Sequence, residues 1–360
     1  MKIFTKKGVG LITALTTSLV MPAMAETEFG VAQGSIVSLF AFVVSFGLVK
    51  GAMNFVSGRL SDSVGRRKVL IWGWLVALPI PFVILLAPSW GWIVAANVLL
   101  GVNQGFCWSM TVTAKFDIAR PDQRGLATGV NEFAGYGGVA IAGLATGYLA
   151  SQFDPRTALF TFGLIVNLLA LVAAILAFAE TRPQTSGTAK GPAVSAKSIF
   201  ALVTWKSRDF QALSQAGSVE KFVDALMWAL VPVYLAAQGV ALVTIGWITA
   251  TYGLVWGASQ LWTGPISDKI GRKPIILLGL MGSCLSYLAL ALATSLPLIF
   301  VARIIGGIAG ANIPTAQAYI ADVTTPENRA KGMGMVGAAF GLGFIFGPAL
   351  GGLGLKFGGI

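Results

Sequence analysis

Gly58-Arg-Leu-Ser-Asp62-Ser-Val-Gly65-Arg66-Arg67-Lys68 returns 206 residues later as Gly264-Pro-Ile-Ser-Asp268-Lys-Ile-Gly271-Arg272-Lys273. A second pair keeps nearly the same spacing: Asp117-Ile-Ala-Arg-Pro121-Asp-Gln-Arg124 returns as Asp322-Val-Thr-Thr-Pro326-Glu-Asn-Arg329, at an offset of 205. Two independent segments at almost one offset point to an internal duplication, so the chain reads as two homologous halves.

What surrounds these polar loops is apolar. Of the 360 residues 56% are hydrophobic and 11% charged, whereas a soluble domain carries about 25% charged residues. The mean hydropathy is +0.79. Apolar runs lie near 9–25, 35–57, 69–87, 91–113, 126–150, 157–179, 213–236, 241–263, 274–293, 297–320 and 333–355, most of them near the roughly 20 residues that cross a bilayer as helix. They do not alternate as barrel strands would. The expected fold is an all-α membrane protein, a bundle of two halves with about 11 transmembrane helices. The first half has six runs and the second stops at Ile360 after five, so a twelfth helix is expected to be missing.

Expected divisions are a signal-like segment or short first helix over 1–25, an amino-terminal bundle over 26–179, a cytoplasmic linker over 180–210 and a carboxy-terminal bundle over 211–360. The first of these stays open between two readings: Lys2, Lys6 and Lys7 precede an apolar stretch, and Ala23-Met24-Ala25 has the small-x-small form of a cleavage site.

The net charge of +11 is distributed by side. Alternate loops collect 20 of the 25 basic residues, while the opposite loops hold only Arg156 and Lys356. That asymmetry is topogenic, placing the amino terminus and linker in the cytoplasm, and it argues against nucleic acid as a partner. The chain has no histidine and two cysteines, Cys107 and Cys284, both read as packing residues. Zinc sites, Cys–His nucleophiles and histidine relays are excluded. No phosphate-cradling G-x-x-x-x-G-K-[ST] loop occurs, so the reading includes no nucleotide, cofactor, metal or catalytic residue, and no enzyme.

The two G-x-x-x-D-x-x-G-R-(R/K) loops resemble the signature between helices two and three, and eight and nine, of the major facilitator superfamily. The resemblance covers essentially residues 30–355 and implies a transporter in which Gly58, Asp62, Gly65, Arg66 and Arg67, with Gly264, Asp268, Gly271, Arg272 and Lys273, form gating loops that latch one access state. Physically, Gly58 is expected to let the chain leave its helix tightly and Gly65 to allow a close backbone approach. Asp62 can accept from a neighbouring helix amino terminus.

The eleventh run, Gly337-Ala-Ala-Phe-Gly341-Leu-Gly343-Phe-Ile-Phe-Gly347-Pro348-Ala-Leu-Gly351-Gly352, is similar to the antiporter motif of proton-coupled drug exporters. Gly343, Gly347 and Gly351 recur every four residues and give a smooth helix face, and Pro348 permits a bend. In drug exporters this motif lies in the first half; here the first-half counterpart, from Asn131 to Gly138, lacks the Gly-Pro pair.

Ionisable residues inside apolar runs cost at least about 2.5–3.5 kcal/mol each. They are Lys50, Glu132, Glu220, Lys221, Asp224 and Arg303. Glu220 and Asp224, four apart, share a helix face, with Lys221 turned about 100° away. A carboxyl in apolar surroundings beside a second acid is suited to carry a proton. Asp224, the deeper one, is expected to couple protons, with Glu132 next. Open alternatives are an ion pair of Asp224 with Lys50 or Arg303, and a Lys50–Glu132 pair. Arg303 matches the basic residue opening the family's helix-four-type motif, which implies substrate or proton handling.

Trp72, Trp74, Trp90, Trp92, Trp205 and Trp262 read as interface anchors, while Trp108, Tyr136, Trp228, Tyr252 and Trp256 lie deeper and can line an apolar cavity. The expected function is proton-coupled export of a drug-like small molecule across a cell (inner) membrane. The alternative is a facilitator or proton symporter importing a metabolite, using Asn54, Asn97, Asn103, Gln104, Asn131, Asn167, Gln260, Asn312 and Gln317. The partners are then substrate, protons and the lipid bilayer.

Overall fold

The computed structural model describes residues 36–120, 123–182, 208–324, 343, 346 and 347. Among them every regular element is helical: α1 (Ile36–Val64), α2 (Arg66–Ala77), α3 (Pro79–Leu85), α4 (Trp90–Ile118), α5 (Arg124–Gln152), α6 (Pro155–Leu176), α7 (Arg208–Ala237), α8 (Leu242–Ile270), α9 (Arg272–Ala291), α10 (Leu296–Ala309) and α11 (Ile313–Val323). The signal-like segment, most of the linker, Pro348 and Gly351 lie outside the described residues.

Among the described residues, five stretches are long and apolar enough on their own to cross a membrane: Arg66–Leu85, Trp90–Ile118, Arg156–Leu176, Arg272–Ala291 and Leu296–Val323. Helices α1, α5, α7 and α8 have 29 or 30 residues each, about 44 Å at 1.5 Å per residue, so they match the same thickness while carrying the internal polar groups. On α9, Leu277, Leu278, Met281, Leu285 and Leu288 are all exposed. An apolar face of that size suits hydrocarbon as its solvent.

The ends of the helices follow local chemistry. Gly65, at φ 99°, ends α1 and starts α2; Gly271, at φ 95°, does the same between α8 and α9. Such φ values favour glycine. The first glycine of each motif does not make the exit: Gly58 lies inside α1 and Gly264 inside α8. Asp154 caps α6 by accepting from the Thr157 amide at 2.8 Å, with Pro155 at the first helical position. The tenth apolar run is split at Gly310–Asn312, with Pro314 opening α11.

In the first half, α2, α3, α4 and α6 close around Val69, Leu70, Trp74, Met110 and Ala170. Trp74 is fully buried there, not an interface anchor; the apolar core around it outweighs its Trp type. Cys107 packs in the same core, whereas Cys284 faces outward from α9.

The halves meet along α5 and α8, where side chains give way to backbone. A Cβ on Gly125 would strike the Gly264 carbonyl, one on Gly129 the Gln260 carbonyl, and one on Gly257 would lie 3.4 Å from the Gly137 nitrogen. The same series reaches Gly253, 3.8 Å from the Ala140 methyl. The crossing is therefore tightest at the end of the bundle that carries the two basic loops.

Candidate functional site: the seam between the halves

Each loop builds the same ionic unit. In the first, Arg66 donates to Asp62 at 2.7 Å, to Ser61 Oγ at 2.9 Å and, through Nε, to Asp117 at 3.2 Å. In the second, Arg272 donates to Asp268, to Ser267 Oγ at 2.7 Å and to Asp322 at 3.1 Å. The two sequence echoes are thus one structural unit: the acid of each second segment receives the arginine of each first. Arg67 donates to the Ile175 carbonyl, and Lys273 is exposed.

The loops differ in what else they hold. Asp268 also accepts from the Gly125 amide, at 3.2 Å, at the start of α5 in the other half. The first loop is instead clamped by Glu180, just past α6, which accepts from the Arg66 amide at 2.9 Å and the Arg67 amide at 3.2 Å. Burial pushes the Glu180 carboxyl up, but the amides of Arg182, Arg66, Arg67 and Thr181 outweigh it and hold it below the usual carboxylate range. The sequence reading missed Glu180; its signal was an acid directly following the sixth apolar run.

Further into the bundle, Asp224 is enclosed by two donors. Lys221 Nζ lies 2.6 Å from Oδ2, and Tyr252 Oη donates to Oδ1 at 2.6 Å. Lys221, read from the helical wheel as turned away, reaches Asp224 because residues three apart are neighbours on a helix. Neither Lys50 nor Arg303 is within ion-pair distance of Asp224. Arg303 lies over the Tyr252 ring at 4.0 Å, and its buried Nε has no hydrogen-bond partner. Glu220, also buried, has an unpartnered Oε1.

Aromatic rings carry the site across the seam. Lys221 Nζ lies 5.3 Å from the Trp256 ring, Trp256 meets Tyr136 of α5 tilted by 59° with centroids 3.6 Å apart, and Tyr136 meets Trp108 edge-on at 5.7 Å. Lys50 lies 5.3 Å from the far side of that row, over Trp108, and 5.5 Å from Phe46. No Lys50–Glu132 ion pair forms among the described residues. Glu132 accepts instead from Asn131 at 3.1 Å, and Asn131 in turn accepts from Lys115. Four of the five deep aromatics thus fall on the seam; the Trp228 side chain is outside the described residues.

Some of the amides proposed to line a polar cavity are engaged within their own half: Asn103 donates to the Gly73 carbonyl at 3.0 Å, Asn167 to Ala77 at 3.1 Å, and Asn54 accepts from Ser109 at 2.9 Å, whereas both side-chain polar atoms of Gln260 are buried without a hydrogen-bond partner. At the other edge of the second half, a Cβ on Gly343 or Gly347 would strike the Ser218 or Phe222 carbonyl of α7, so these two glycines sit against the helix bearing Asp224.

The sequence pattern of the Major Facilitator Superfamily matches residues 8–219 and again 213–360. The chain belongs to the major facilitator superfamily. Its curated relatives match over shorter stretches. It is 42% identical over 107 residues to the class B tetracycline resistance protein of Escherichia coli, covering 30% of this chain and 27% of that protein. It is 38% identical over 138 residues to multidrug resistance protein 2 of Bacillus subtilis (strain 168), covering 37% and 34%. The matched part is thus about a quarter to a third of those relatives. In fold, it superposes on the human organic anion transporter MFSD10 (TETRAN) with a TM-score of 0.80, over 99% of this chain and 94% of that one, at 17% identity.

Proposed function

We propose that this major facilitator superfamily member is a secondary active transporter that exports amphipathic, drug-like molecules in exchange for protons by alternating access. Its amino terminus and central linker are cytoplasmic, in the inner membrane of a bacterial cell. The carrying observation is the direct contact between a buried ion pair and the aromatic row crossing the seam: Asp224–Lys221, with Lys221 against Trp256 and Trp256 against Tyr136. A proton added to Asp224 removes the anion that holds Lys221, and the freed ammonium sits beside the rings on which an apolar substrate would stack. The charge state of one residue and the occupancy of the seam are thereby coupled.

The paired loops supply the gate. While Asp268 holds the α5 amino terminus and both arginines are neutralised, the basic-loop end stays shut; opening it breaks the Asp268–Gly125 contact across the halves. Gly343 and Gly347 let the last described turns slide against α7. The names of the bacterial relatives support drug-type cargo.

The test is substrate-driven proton movement in proteoliposomes, with ethidium, tetracycline and a panel of small metabolites, for the parent and Asp224→Asn. Dye- or tetracycline-driven proton flux lost in Asp224→Asn is the expected result. A response to metabolites alone that ignores the substitution overturns antiport in favour of uptake.

A further inference from the structure

Among the described residues, Glu220 is a buried acid with an oxygen that has no hydrogen-bond partner, and it lines a hole. Between α7, α9 and α11 lies a cavity of about 10 Å³, lined by Leu213, Gly217, Glu220, Ile276, Leu280 and Asn312 among others. That is roughly the room one water needs. Two polar atoms in this lining, Glu220 Oε1 and Asn312 Nδ2, are buried without a well-formed hydrogen bond, although the two side chains lie close enough to interact directly. Both residues are more than nine-tenths buried, at 8% and 4% exposure. A buried acceptor and a buried donor without well-aligned partners are both costly to keep, and a single water beside them satisfies both. Its lining reaches towards the basic-loop end, since Leu213 and Ile276 lie one to two turns from the starts of α7 and α9.

Helices α5 and α8, in contrast, close the substrate seam at that same end by backbone contact. Asp224, one turn deeper than Glu220 on the same face of α7, has both oxygens engaged by Lys221 and Tyr252. Other charged or titratable groups around Glu220 are Lys221 on its own helix, Tyr136 of α5 and Tyr287 of α9.

We propose that Glu220 and Asn312 hold one water at the mouth of a proton port separate from the substrate path, through which Glu220 hands protons to Asp224. This rests on the proton-coupled reading above. In the step, a hydronium in the hole gives its proton to Glu220 Oε1, leaving water. The new O–H bond then breaks as one forms on Asp224, which releases Lys221. One proton moves and no electrons are exchanged. Because the hole admits water only, protons enter while the closed α5–α8 crossing excludes cargo.

The experiment compares the parent chain with Glu220→Gln and with Ala216→Leu, whose larger side chain on the cavity wall fills the hole but keeps the acid. Tetracycline-driven proton movement and tetracycline counterflow, which needs no net proton transfer, are both read in proteoliposomes. The expected result is a tenfold or greater loss of proton movement in each variant, with counterflow persisting. Proton movement within twofold of the parent in both variants refutes the port while leaving Asp224 coupling intact. A parent that carries tetracycline but moves no protons refutes the port and the antiport reading together.

Discussion

Gly264→Ala is the sharpest test of the seam. The added Cβ would meet the Gly125 carbonyl carbon at 2.7 Å, besides its oxygen. Ordinary carbon–carbon contact begins near 3.5 Å, so α5 and α8 must separate by at least about 0.8 Å at that level. Their neighbour is backbone, which cannot rotate away as a side chain would. Overpacking of this kind costs about 1–3 kcal/mol, and only in the arrangement where the two glycines touch. The equilibrium between shut and open at the basic-loop end therefore shifts roughly 5- to 150-fold towards open. The assay is labelling of Thr128→Cys by a membrane-impermeant maleimide, in a Cys284→Ser background that removes the exposed native thiol. Thr128 is fully buried in the seam, its hydroxyl 3.3 Å from the Pro314 carbonyl. Labelling should be slow in the parent and at least fivefold faster with Gly264→Ala. An unchanged rate in a variant that still elutes as a folded monodisperse species would refute the claim that this glycine pair sets closure.

Three further outcomes are expected. Tyr252→Phe removes one of the two donors to Asp224 and should destabilise the protein by about 1.5–3 kcal/mol, the range for a hydrogen bond to a charged group, read as a lower melting temperature in detergent. Gly65→Ala should cost more than Gly271→Ala, since both carry positive φ but a Cβ at Gly65 also strikes Glu180, while at Gly271 the nearest atom is Pro274 Cδ at 3.9 Å; equal losses in paired melting curves would contradict this. For Glu180, whose folded value is depressed, the stabilising clamp is fully present above the unfolded carboxylate value of about 4.3 and is lost as pH falls through the lower folded value. Hydrogen-exchange protection of the Arg66 and Arg67 amides should accordingly hold from pH 8 to 5 and fail only in stronger acid.

The duplication and the helical membrane class were legible because each is a local pattern, apolar run length fixing the spans. The loops were legible as motifs but not in their bonding: Asp62, expected to accept from a neighbouring helix amino terminus, is held by Arg66 of its own loop, and Asp268 makes the contact with the start of another helix. The inventory of buried charges was equally readable, since charge in an apolar run is conspicuous. Their pairing was not. Asp224 takes its partners from Lys221, three residues away, and from Tyr252 on the next helix, so choosing among Lys50, Lys221 and Arg303 required the α7–α8 crossing. Trp74 failed for a related reason: position near a run end suggests an interface, but which way α2 turns depends on α4 and α6. The split of the tenth run was foreshadowed by Gly310 and Pro314, residues that respectively end and begin helices.

The two loops began as copies and now have different correspondents. One is tied down by Glu180 from within its own half; the other reaches across to Gly125 of the opposite half. Exchanging the two segments between the halves would therefore not yield an equivalent protein. A graft of 58–68 into the place of 264–273 would keep the Asp–Arg pair yet arrive where no counterpart of Glu180 is among the described residues, and the reverse graft would move its aspartate away from the Gly125 amide. Duplicate parts that answer to different neighbours are free to be tuned separately, so strengthening one end of the machine need not stiffen the other.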